Sequence, residues 1–305
     1  MPETTEKANT GNMVNFPQDI APLSNLAYFL KRLLCDYGFS DQRKSDMLPI
    51  ISTGLMAANK TISAISNNIA NASSSGFKRS NVDFQDIYAA TPDQLGSTVT
   101  GMGTRTNAVR VNHAQGALKT TNISLDMAVS GRGMFVTTDP TGQERIFTRN
   151  GNFSLNDQGQ IVTGTGNLLM SRANRPITVP LSIIDAAGNR TLLDSITVSP
   201  KGDVMTTYGG FEPISAGQIA LAGFRNLNGL RQKGLNEFVE TELSGAPKFG
   251  SPADGVFGTV IQGSIETSNT NISDEMTRML LAQQAFGASS KMMQTEADIT
   301  RRLIG

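Results

Sequence analysis

The feature that most constrains the fold is a stripe of apolar residues whose spacing alternates strictly between three and four positions. Its members are Leu48, Ile51, Leu55, Ala58, Ile62, Ile65, Ile69 and Ala72. This alternation places them on one face of an α-helix and is typical of coiled coils. Because Pro49 suits a first helical turn, residues 47–76 are predicted to contain an N-terminal helix. An ordinary core helix is the alternative.

A second, more polar stripe lies at the other end of the chain. It consists of Ile272, Met276, Met279, Gln283, Phe286, Ser290, Met293, Ala297, Thr300 and Ile304. Ser273 is the expected N-cap, and Asp274 and Glu275 then lie in the first turn, where the helix dipole favours negative charge. Residues 271–305 therefore predict a second long helix. The two helices can pair only if the middle of the chain brings its ends together.

Between the stripes, over residues 77–270, the apolar period changes to two. Short segments such as GMFVTT, NFSL, PITV and DVMTT alternate apolar and polar residues, and turn sequences such as NG and DPTG separate them. Closely spaced strands of this kind favour an antiparallel sandwich or barrel-like domain. The predicted fold class is α+β, with terminal heptad helices that pair as a coiled coil around a central all-β domain.

Residues 1–46 differ from the rest of the chain. The polar start MPETTEKANTGN is typical of disorder, and Leu23 to Cys35 has the spacing of a short amphipathic helix. Either the segment is a disordered or lineage-specific extension, or Met47 is the true start. The N-terminus does not resemble a cleavable signal, and no apolar stretch approaches the roughly 20 residues that a membrane span needs. We expect a cytoplasmic protein, or one exported without a cleaved signal.

Composition argues against several classes of function. Lys plus Arg and Asp plus Glu both total 26, so no basic surface for nucleic acid or anionic lipid is expected. A single cysteine, Cys35, and a single histidine, His113, exclude an internal disulfide and the usual zinc sites. His113 is expected to be a surface or turn residue, and no nucleophile elbow or P-loop motif is present. We therefore expect no enzyme activity, metal or cofactor.

The segment NNIANASSSGFKRS, residues 67–80, is unusually rich in residues that end helices. Asn67, Asn68 and Asn71 are expected to hydrogen-bond to neighbouring backbone or side chains in a close-packed assembly. Gly76 is expected to stop the helix in a left-handed conformation, and Phe77 to anchor the chain as it turns away. A plain C-terminal cap followed by a loop is the alternative.

This segment resembles the N-terminal signature of the flagellar rod and hook family of bacterial axial proteins. The matching positions are Asn67, Asn68, Ile69, Ala70, Asn71, Gly76, Phe77 and Lys78. LDMAVSGRGMFV and the C-terminal GSIETSNTNISDEMTRMLLAQQAF are similar to two further family segments, in the same order. Gln284, Phe286 and Ser289 depart from the residues that are common in the family, which puts specific contacts at these positions in doubt.

The resemblance implies a tubular polymer in which the terminal helices form an inner tube around an export channel. Expected partners are copies of this chain, neighbouring rod and hook proteins and the flagellar type III export apparatus, with no nucleic acid and no small-molecule substrate. The expected location is the periplasm-spanning rod of the basal body. The expected assembly interface consists of Leu48, Ile51, Leu55, Ala58, Ile62, Ile65, Ile69, Asn67, Asn68, Asn71, Gly76, Phe77, Ile272, Met276, Met279, Gln283, Phe286 and Met293.

The sequence is compatible with three functions. Only about fifty residues separate Gly166 from Gly217, too few for the extra outer domain of most hook proteins. This favours a rod subunit that assembles into a rigid, torque-transmitting shaft. A flexible hook subunit is the alternative, and a secreted β-domain adhesin or hydrolase is a third hypothesis.

Overall fold

The structure is a computed structural model that describes residues 42–89, 100–184 and 190–304. The chain divides after Met47 into two compact units, and all contacts given below lie within Leu48–Gly305. The described residues form helices α1 (Gln42–Ala70) and α2 (Ile272–Ile304) and nineteen strands. The amphipathic segment Leu23 to Cys35 lies outside the described residues.

The strands and their bounds are β1 (Ser80–Ala89), β2 (Thr100–Val111), β3 (Leu118–Thr120), β4 (Met127–Ser130), β5 (Met134–Thr138), β6 (Arg145–Thr148), β7 (Phe153–Leu155), β8 (Ile161–Thr163), β9 (Leu168–Leu169), β10 (Ser182–Ile184), β11 (Arg190–Val198), β12 (Asp203–Tyr208), β13 (Ile214–Gln218), β14 (Leu221–Gly223), β15 (Arg231–Gly234), β16 (Glu237–Val239), β17 (Lys248–Gly250), β18 (Thr259–Gln262) and β19 (Ser264–Glu266). A short 3₁₀ helix spans Leu227–Gly229.

Helix α1 differs from the prediction at both ends. It begins at Gln42 rather than near residue 47, so Pro49 lies inside the helix and not in its first turn. Gln, Arg, Lys and Met precede Pro49 and are good helix formers, which explains the earlier start. The helix ends at Ala70, and the Asn71 N–H donates to the Asn67 carbonyl at 3.1 Å. Residues 71–76 form a turn instead of continuing the helix.

Helix α2 is capped by Asn271, so the prediction that Ser273 is the N-cap is wrong. The Asn271 side-chain oxygen accepts from the Ser273 N–H at 3.1 Å, and its carbonyl accepts from the Glu275 N–H at 3.0 Å. Asparagine is as good a cap as serine and stands two residues earlier. Asp274 and Glu275 lie in the first turn, as predicted.

The central part is β-rich, as predicted, and all its described strand pairs are antiparallel. The largest sheet has the order β15-β16-β6-β5-β9-β8-β7, with β14 paired to β5 and β17 paired to β14. A second sheet has the order β10-β11-β12-β13. Three two-stranded pairs, β1–β2, β18–β4 and β19–β3, complete the arrangement.

Strand β5 is buried on both faces and lies at the centre of the core. Phe135 packs with one apolar cluster that reaches Val204 of the second sheet, whereas Met134 and Val136 pack with another that includes Phe238. Successive residues of a strand point to opposite faces, so one short strand serves both clusters. The core therefore holds the two sheets as one packed body.

One predicted strand is not formed, and one observed strand was not predicted. PITV forms only the isolated bridges Gln160 to Thr178 and Met170 to Pro176, because Pro176 has no N–H for a ladder. The long ribbon β1–β2 was not anticipated over Ser80–Ala89. Its charged residues interrupt the apolar alternation, and one exposed ribbon needs little apolar surface. None of the helices in the described ranges combines the length and apolarity needed to cross a bilayer.

Gly76 offers a direct test of the turn that follows α1. Gly76 and Gly142 both adopt left-handed backbone, with φ of +69° and +74°. A Cβ at Gly76 would lie 2.6 Å from the Asn150 backbone nitrogen, whereas nothing lies within 4 Å of one at Gly142. Both alanine substitutions cost about 1–2 kcal/mol for the backbone conformation. We expect Gly76→Ala to cost about 1–3 kcal/mol more because of the overlap. Urea unfolding of the two variants checks this, and equal losses would contradict it.

Candidate helix junction and assembly surface

Both terminal helices meet the β domain at one polar cluster, here called the junction. Its members are Asn68, Lys78, Arg149, Glu266, Asn269 and Glu275. All are buried except Asn269, which is half-buried. Buried polar and charged groups persist only where partners satisfy them. The junction is therefore the part of the molecule where side-chain chemistry decides how the helices are held.

Asn68 connects α1 to the start of β1 and to α2. Its side-chain oxygen accepts from the Ser80 N–H at 2.8 Å, and its Nδ2 donates to the Ser80 carbonyl at 2.9 Å. The same Nδ2 lies 3.2 Å from Oε2 of Glu275. One buried amide thus fixes the first residue of β1 and touches the first turn of α2.

Glu266 at the end of β19 is the centre of the junction. Its Oε1 accepts from Lys78 Nζ and from the Gly116 N–H at 2.8 Å, and its Oε2 accepts from Arg149 Nη1 at 3.0 Å. Its carbonyl accepts from the Gly76 N–H at 2.8 Å. This carboxylate is fully buried and balances part of the charge of two buried cations. It joins the turn after α1 to the segment before α2.

Asn269 holds the two crossing segments side by side. Its Oδ1 accepts from the Arg79 N–H at 2.8 Å, and its Nδ2 donates to the carbonyls of Asn112 and Ala114 at 2.8 and 2.9 Å. Lys78 Nζ donates to the same Ala114 carbonyl at 2.8 Å. The segment ahead of α2 is therefore tied to Arg79, the residue ahead of β1.

Burial lowers the pKa values of two basic side chains at or near the junction, Lys78 and His113. Burial lowers the pKa of Lys78 from its ordinary value, and this effect outweighs the opposing influence of Glu266. Burial, together with the charges of Lys78 and Arg149, lowers the pKa of His113 to about 4. His113 lies against Phe238, with 5.4 Å between the ring centres. It is therefore a neutral packing residue near neutral pH, half-buried rather than on the surface.

Some residues of the asparagine-rich segment bond to the rest of the subunit, and others lie at its surface. Gly76 has the predicted left-handed backbone, but the prediction that it stops the helix is wrong, because the helix already ends at Ala70 and Gly76 closes the turn that follows. Phe77 is buried, as expected of an anchor. Asn71 donates to the Asn67 carbonyl at 3.0 Å and accepts from Ser74 Oγ at 3.2 Å. Asn67 is exposed. The segment is thus more than a plain cap, because Asn68 and Gly76 bond to strands and residues far along the chain.

The apolar stripe of α1 faces inward. Ile51, Ala58 and Ile65 are buried. Leu55, Ile62 and Ile69 are half-buried, and Leu48 at the start is exposed. The strict three-four spacing therefore identified the packed face of this helix.

The predicted stripe of α2 does not coincide with the face that packs in this subunit. Ile272, Met276, Gln283 and Phe286 are exposed, and Met279 and Met293 are half-buried. The buried residues of α2 are Glu275 and Ala282. Polar and apolar residues alternate on several faces of α2, so spacing alone does not select the packed one.

Helices α1 and α2 flank a common groove without forming a continuous interface. At Gly54 of α1, a Cβ would lie 3.7 Å from Ser289 Oγ of α2. Between this position and the Asn68–Glu275 contact, the helices are separated by a groove of about 510 Å³, which β1 also lines. Coiled-coil pairing is therefore not confirmed within the single subunit.

The sequence did not predict the charged part of the junction. Nothing in it indicated that Arg149, Glu266 and Glu275 are partners of the asparagine-rich segment. Lys78 was identified only as part of the signature. Glu266 and Asn269 lie within the C-terminal segment that resembles the family, which is the one sequence signal that pointed to them. Within the described ranges, no group of three or more His, Cys, Asp or Glu residues is placed to hold a metal ion.

Comparison with known proteins identifies the family. Three family models match in chain order: "Flagella basal body rod protein" over residues 50–78, "Flagellar hook protein FlgE/F/G D1 domain" over 128–206, and "Flagellar basal body rod FlgEFG protein C-terminal" over 261–305. The flagellar basal-body rod protein FlgG of Buchnera aphidicola subsp. Baizongia pistaciae is 35% identical over 266 residues, covering 83% of this chain and 96% of the relative. This chain belongs to the flagellar rod and hook protein family.

Further relatives agree within this family. FlgG of Caulobacter vibrioides is 36% identical over 257 residues, covering 80% of this chain and 92% of the relative. FlgG of Bacillus subtilis is 30% identical over 263 residues, covering 83% of this chain and 95% of the relative. The relatives named here are rod proteins, which favours a structural rod subunit over a hook subunit. The family is structural, which also disfavours the adhesin or hydrolase hypothesis.

The central ion cluster can be tested by removing its negative charge. Glu266→Gln keeps the shape but leaves Lys78 and Arg149 buried without a counter-charge, so we expect a loss of about 3–5 kcal/mol of unfolding free energy. Urea unfolding measures this loss. Glu144→Gln is the matched control, because Glu144 pairs with Lys233 on the surface and its loss should hardly move the midpoint. Similar midpoints for the two variants would show that the junction does not hold the fold.

Adjacent asparagines provide a second test. Asn68→Ala removes both hydrogen bonds to Ser80 and the contact with Glu275, so we expect a loss of about 2–4 kcal/mol from unsatisfied buried groups. Asn67→Ala changes an exposed helical position and should be neutral or slightly stabilising, because alanine is the better helix former. Thermal unfolding of both variants separates the two roles, and an Asn67 variant as unstable as the Asn68 variant would refute this assignment.

Proposed function

We propose that this chain is a structural subunit that assembles helically, with copies of itself and neighbouring axial proteins, into a rigid rod around an export channel. The relatives are named as basal-body rod proteins, which supports the rod. The observation that carries the assembly is the exposure of α2. Its exposed apolar residues include Ile272, Met276, Leu280 and Phe286.

Helix α2 has too little packing in the subunit for its length. It comprises 33 residues, and of these only Glu275 and Ala282 fall in the buried class among those described. A helix of this length spans about 50 Å, and isolated helices are marginally stable in water. Large exposed apolar surfaces mark interaction sites. Contacts with further subunits supply the missing burial and bring the terminal helices into the coiled-coil arrangement of an inner tube.

The residues expected at the assembly interface then have two roles. The exposed ones, Leu48, Asn67, Ile272, Met276, Gln283 and Phe286, are proposed to contact neighbouring subunits. The others pack or bond within the subunit and are proposed to position the helices for these contacts.

The β domain and the junction suit a mechanical role. The core joins two sheets, and buried hydrogen bonds and ion pairs tie both helices to it, so a torque on the β domain is transmitted to the helices. The proposed location is the basal-body rod, reached through the flagellar type III export apparatus without a cleaved signal. The proposed organisation is an inner tube of residues 47–76 and 271–305 and an outer layer of residues 77–270.

The proposed assembly is tested on the exposed face of α2. Phe286→Ser removes an exposed aromatic side chain, and we expect the concentration needed for polymerisation of the purified chain to rise at least tenfold. Gln284→Ser, two residues away, is the control and should polymerise like the unaltered chain. Sedimentation and electron microscopy provide the measurement. Curved or flexible polymers, or no polymers from the unaltered chain at any concentration, would count against a rigid rod subunit.

A further inference from the structure

A polar cavity of about 750 Å³ lies between the turn that follows α1, the hairpin β15–β16 and the loop that joins β8 to β9. We propose that this cavity, here called the hairpin cavity, binds a small hydroxylated amine, such as an amino sugar. Its volume lies within the range of small-molecule sites. The hairpin cavity belongs to the single subunit, so this inference goes beyond the proposed assembly and does not depend on it.

Glu237 supplies the negative charge of the hairpin cavity. Its side chain lines the cavity although only 7% of the residue is exposed. Its Oε1 accepts from Thr165 Oγ1 at 2.6 Å and from Asn167 Nδ2 at 2.7 Å, whereas its Oε2 accepts no hydrogen bond from the described residues. Buried carboxylates normally have hydrogen bonds and a counter-charge. Oε2 is therefore placed to accept a charge-assisted hydrogen bond from a ligand ammonium group.

The basic side chains near the hairpin cavity are paired with other carboxylates. Lys78 lines the cavity, but its Nζ donates to Glu266 in the junction. Lys233 on β15 donates from Nζ to Glu144 Oε2 at 2.6 Å, on the surface. In the part of the chain that the structure describes, no ion pair includes Glu237. The counter-charge that this carboxylate lacks can thus come from a bound cation.

The remaining lining is suited to hydroxyl groups. The side-chain amides of Asn67, Asn152 and Gln232 line the hairpin cavity, and all three residues are exposed. The hydroxyls of Thr163 and Thr165 lie 2.7 Å apart beside them. Amide and hydroxyl side chains can both donate and accept hydrogen bonds, as the hydroxyls of a sugar do. A ligand that carries hydroxyls as well as an amine therefore matches more of the lining than a simple cation does.

The hairpin β15–β16 holds its wall of the cavity in a strained conformation. Leu235 and Asn236 at its tip both have left-handed backbone, with φ of +52° and +62°, and Leu235 is 77% exposed. Left-handed backbone is unfavourable for leucine, and such strain is concentrated at ligand sites. Asn236 Nδ2 donates to the Ser75 carbonyl at 2.8 Å, so the hairpin is fixed to the turn after α1. The wall is therefore already formed before a ligand binds.

The first test compares three probes on the purified, unassembled full chain. Glucosamine carries both an ammonium group and hydroxyls at about pH 6, whereas glucose lacks the ammonium group and butylamine lacks the hydroxyls. We expect glucosamine to bind at least tenfold more tightly than either of the other two. Titration calorimetry, with ligand-observed NMR for weak binding, provides the dissociation constants.

The same titrations on two variants test the role of Glu237. Glu237→Gln keeps an oxygen for Thr165 and Asn167 but removes the charge, so the preference for glucosamine over glucose should be lost while glucose binds as before. Glu144→Gln makes the same change on the surface outside the cavity and should keep the full preference. The unfolding midpoint of each variant is measured in the same buffer.

The second test fills the hairpin cavity. Gly164 lines it, and a Cβ at Gly164 would have nothing within 4 Å, so Gly164→Leu adds a side chain without overlap. Gly210 has equally open surroundings outside the cavity, which makes Gly210→Leu the matched control. We expect the Gly164 variant to lose at least tenfold in affinity for glucosamine, and the Gly210 variant to bind like the unaltered chain. Similar unfolding midpoints for the two variants show that the loss comes from the filled cavity.

The outcomes are distinct from those for assembly, since polymerisation is measured separately and either inference can fail alone. The proposed ligand class is overturned if glucosamine does not bind the unaltered chain, or if butylamine binds as tightly as glucosamine. A Glu237 variant that still prefers glucosamine to glucose would refute the role of this carboxylate. Equal binding of glucosamine by the Gly164 variant and the unaltered chain would place the site elsewhere.

Discussion

The ion cluster around Glu266 is the interaction on which the rest of the subunit depends. A fully buried carboxylate lies between Lys78, which leads out of α1, and Arg149, which belongs to the β domain. Buried charges are costly to desolvate and are stable only when paired and hydrogen-bonded. Because each partner comes from a different part of the chain, the cluster forms only when all three parts are in place. Because leaving any one of these buried charges unpaired is costly, other arrangements of the three chain segments are disfavoured.

The polar residues around this cluster connect both helices to the β domain through further hydrogen bonds. Asn68 fixes the first residue of β1, and Asn269 fixes the backbone beside it. The directions in which α1 and α2 leave the β domain are therefore set by hydrogen bonds at their bases. Along their length the helices are held much less firmly. Such a subunit has a defined body and incompletely packed terminal helices, which supports the proposed assembly with further subunits.

The sequence predicted α1 better than α2, and the difference has a physical cause. The α1 stripe contains large aliphatic residues at six of its eight positions, so only one face is apolar enough to pack. The α2 stripe contains Gln283 and Ser290, and competing positions such as Leu281 and Met292 are equally apolar. With several faces of similar hydrophobicity, the packed face is chosen by what surrounds the helix. The same limit applies to its cap, since Asn271 and Ser273 are equally suitable and the chain path decides between them.

The sequence by itself determined the local features: two long terminal helices, an antiparallel β-rich middle, the left-handed backbone of Gly76 and membership of an axial-protein family. Only the tertiary structure decided which charges meet. Lys78 and Glu266 are 188 positions apart, and Asn68 and Glu275 are 207 apart. No local pattern specifies such partners, because hydrogen bonds and ion pairs depend on distances of a few ångströms. Those distances are fixed by the packing of the β domain that brings the two ends of the chain together.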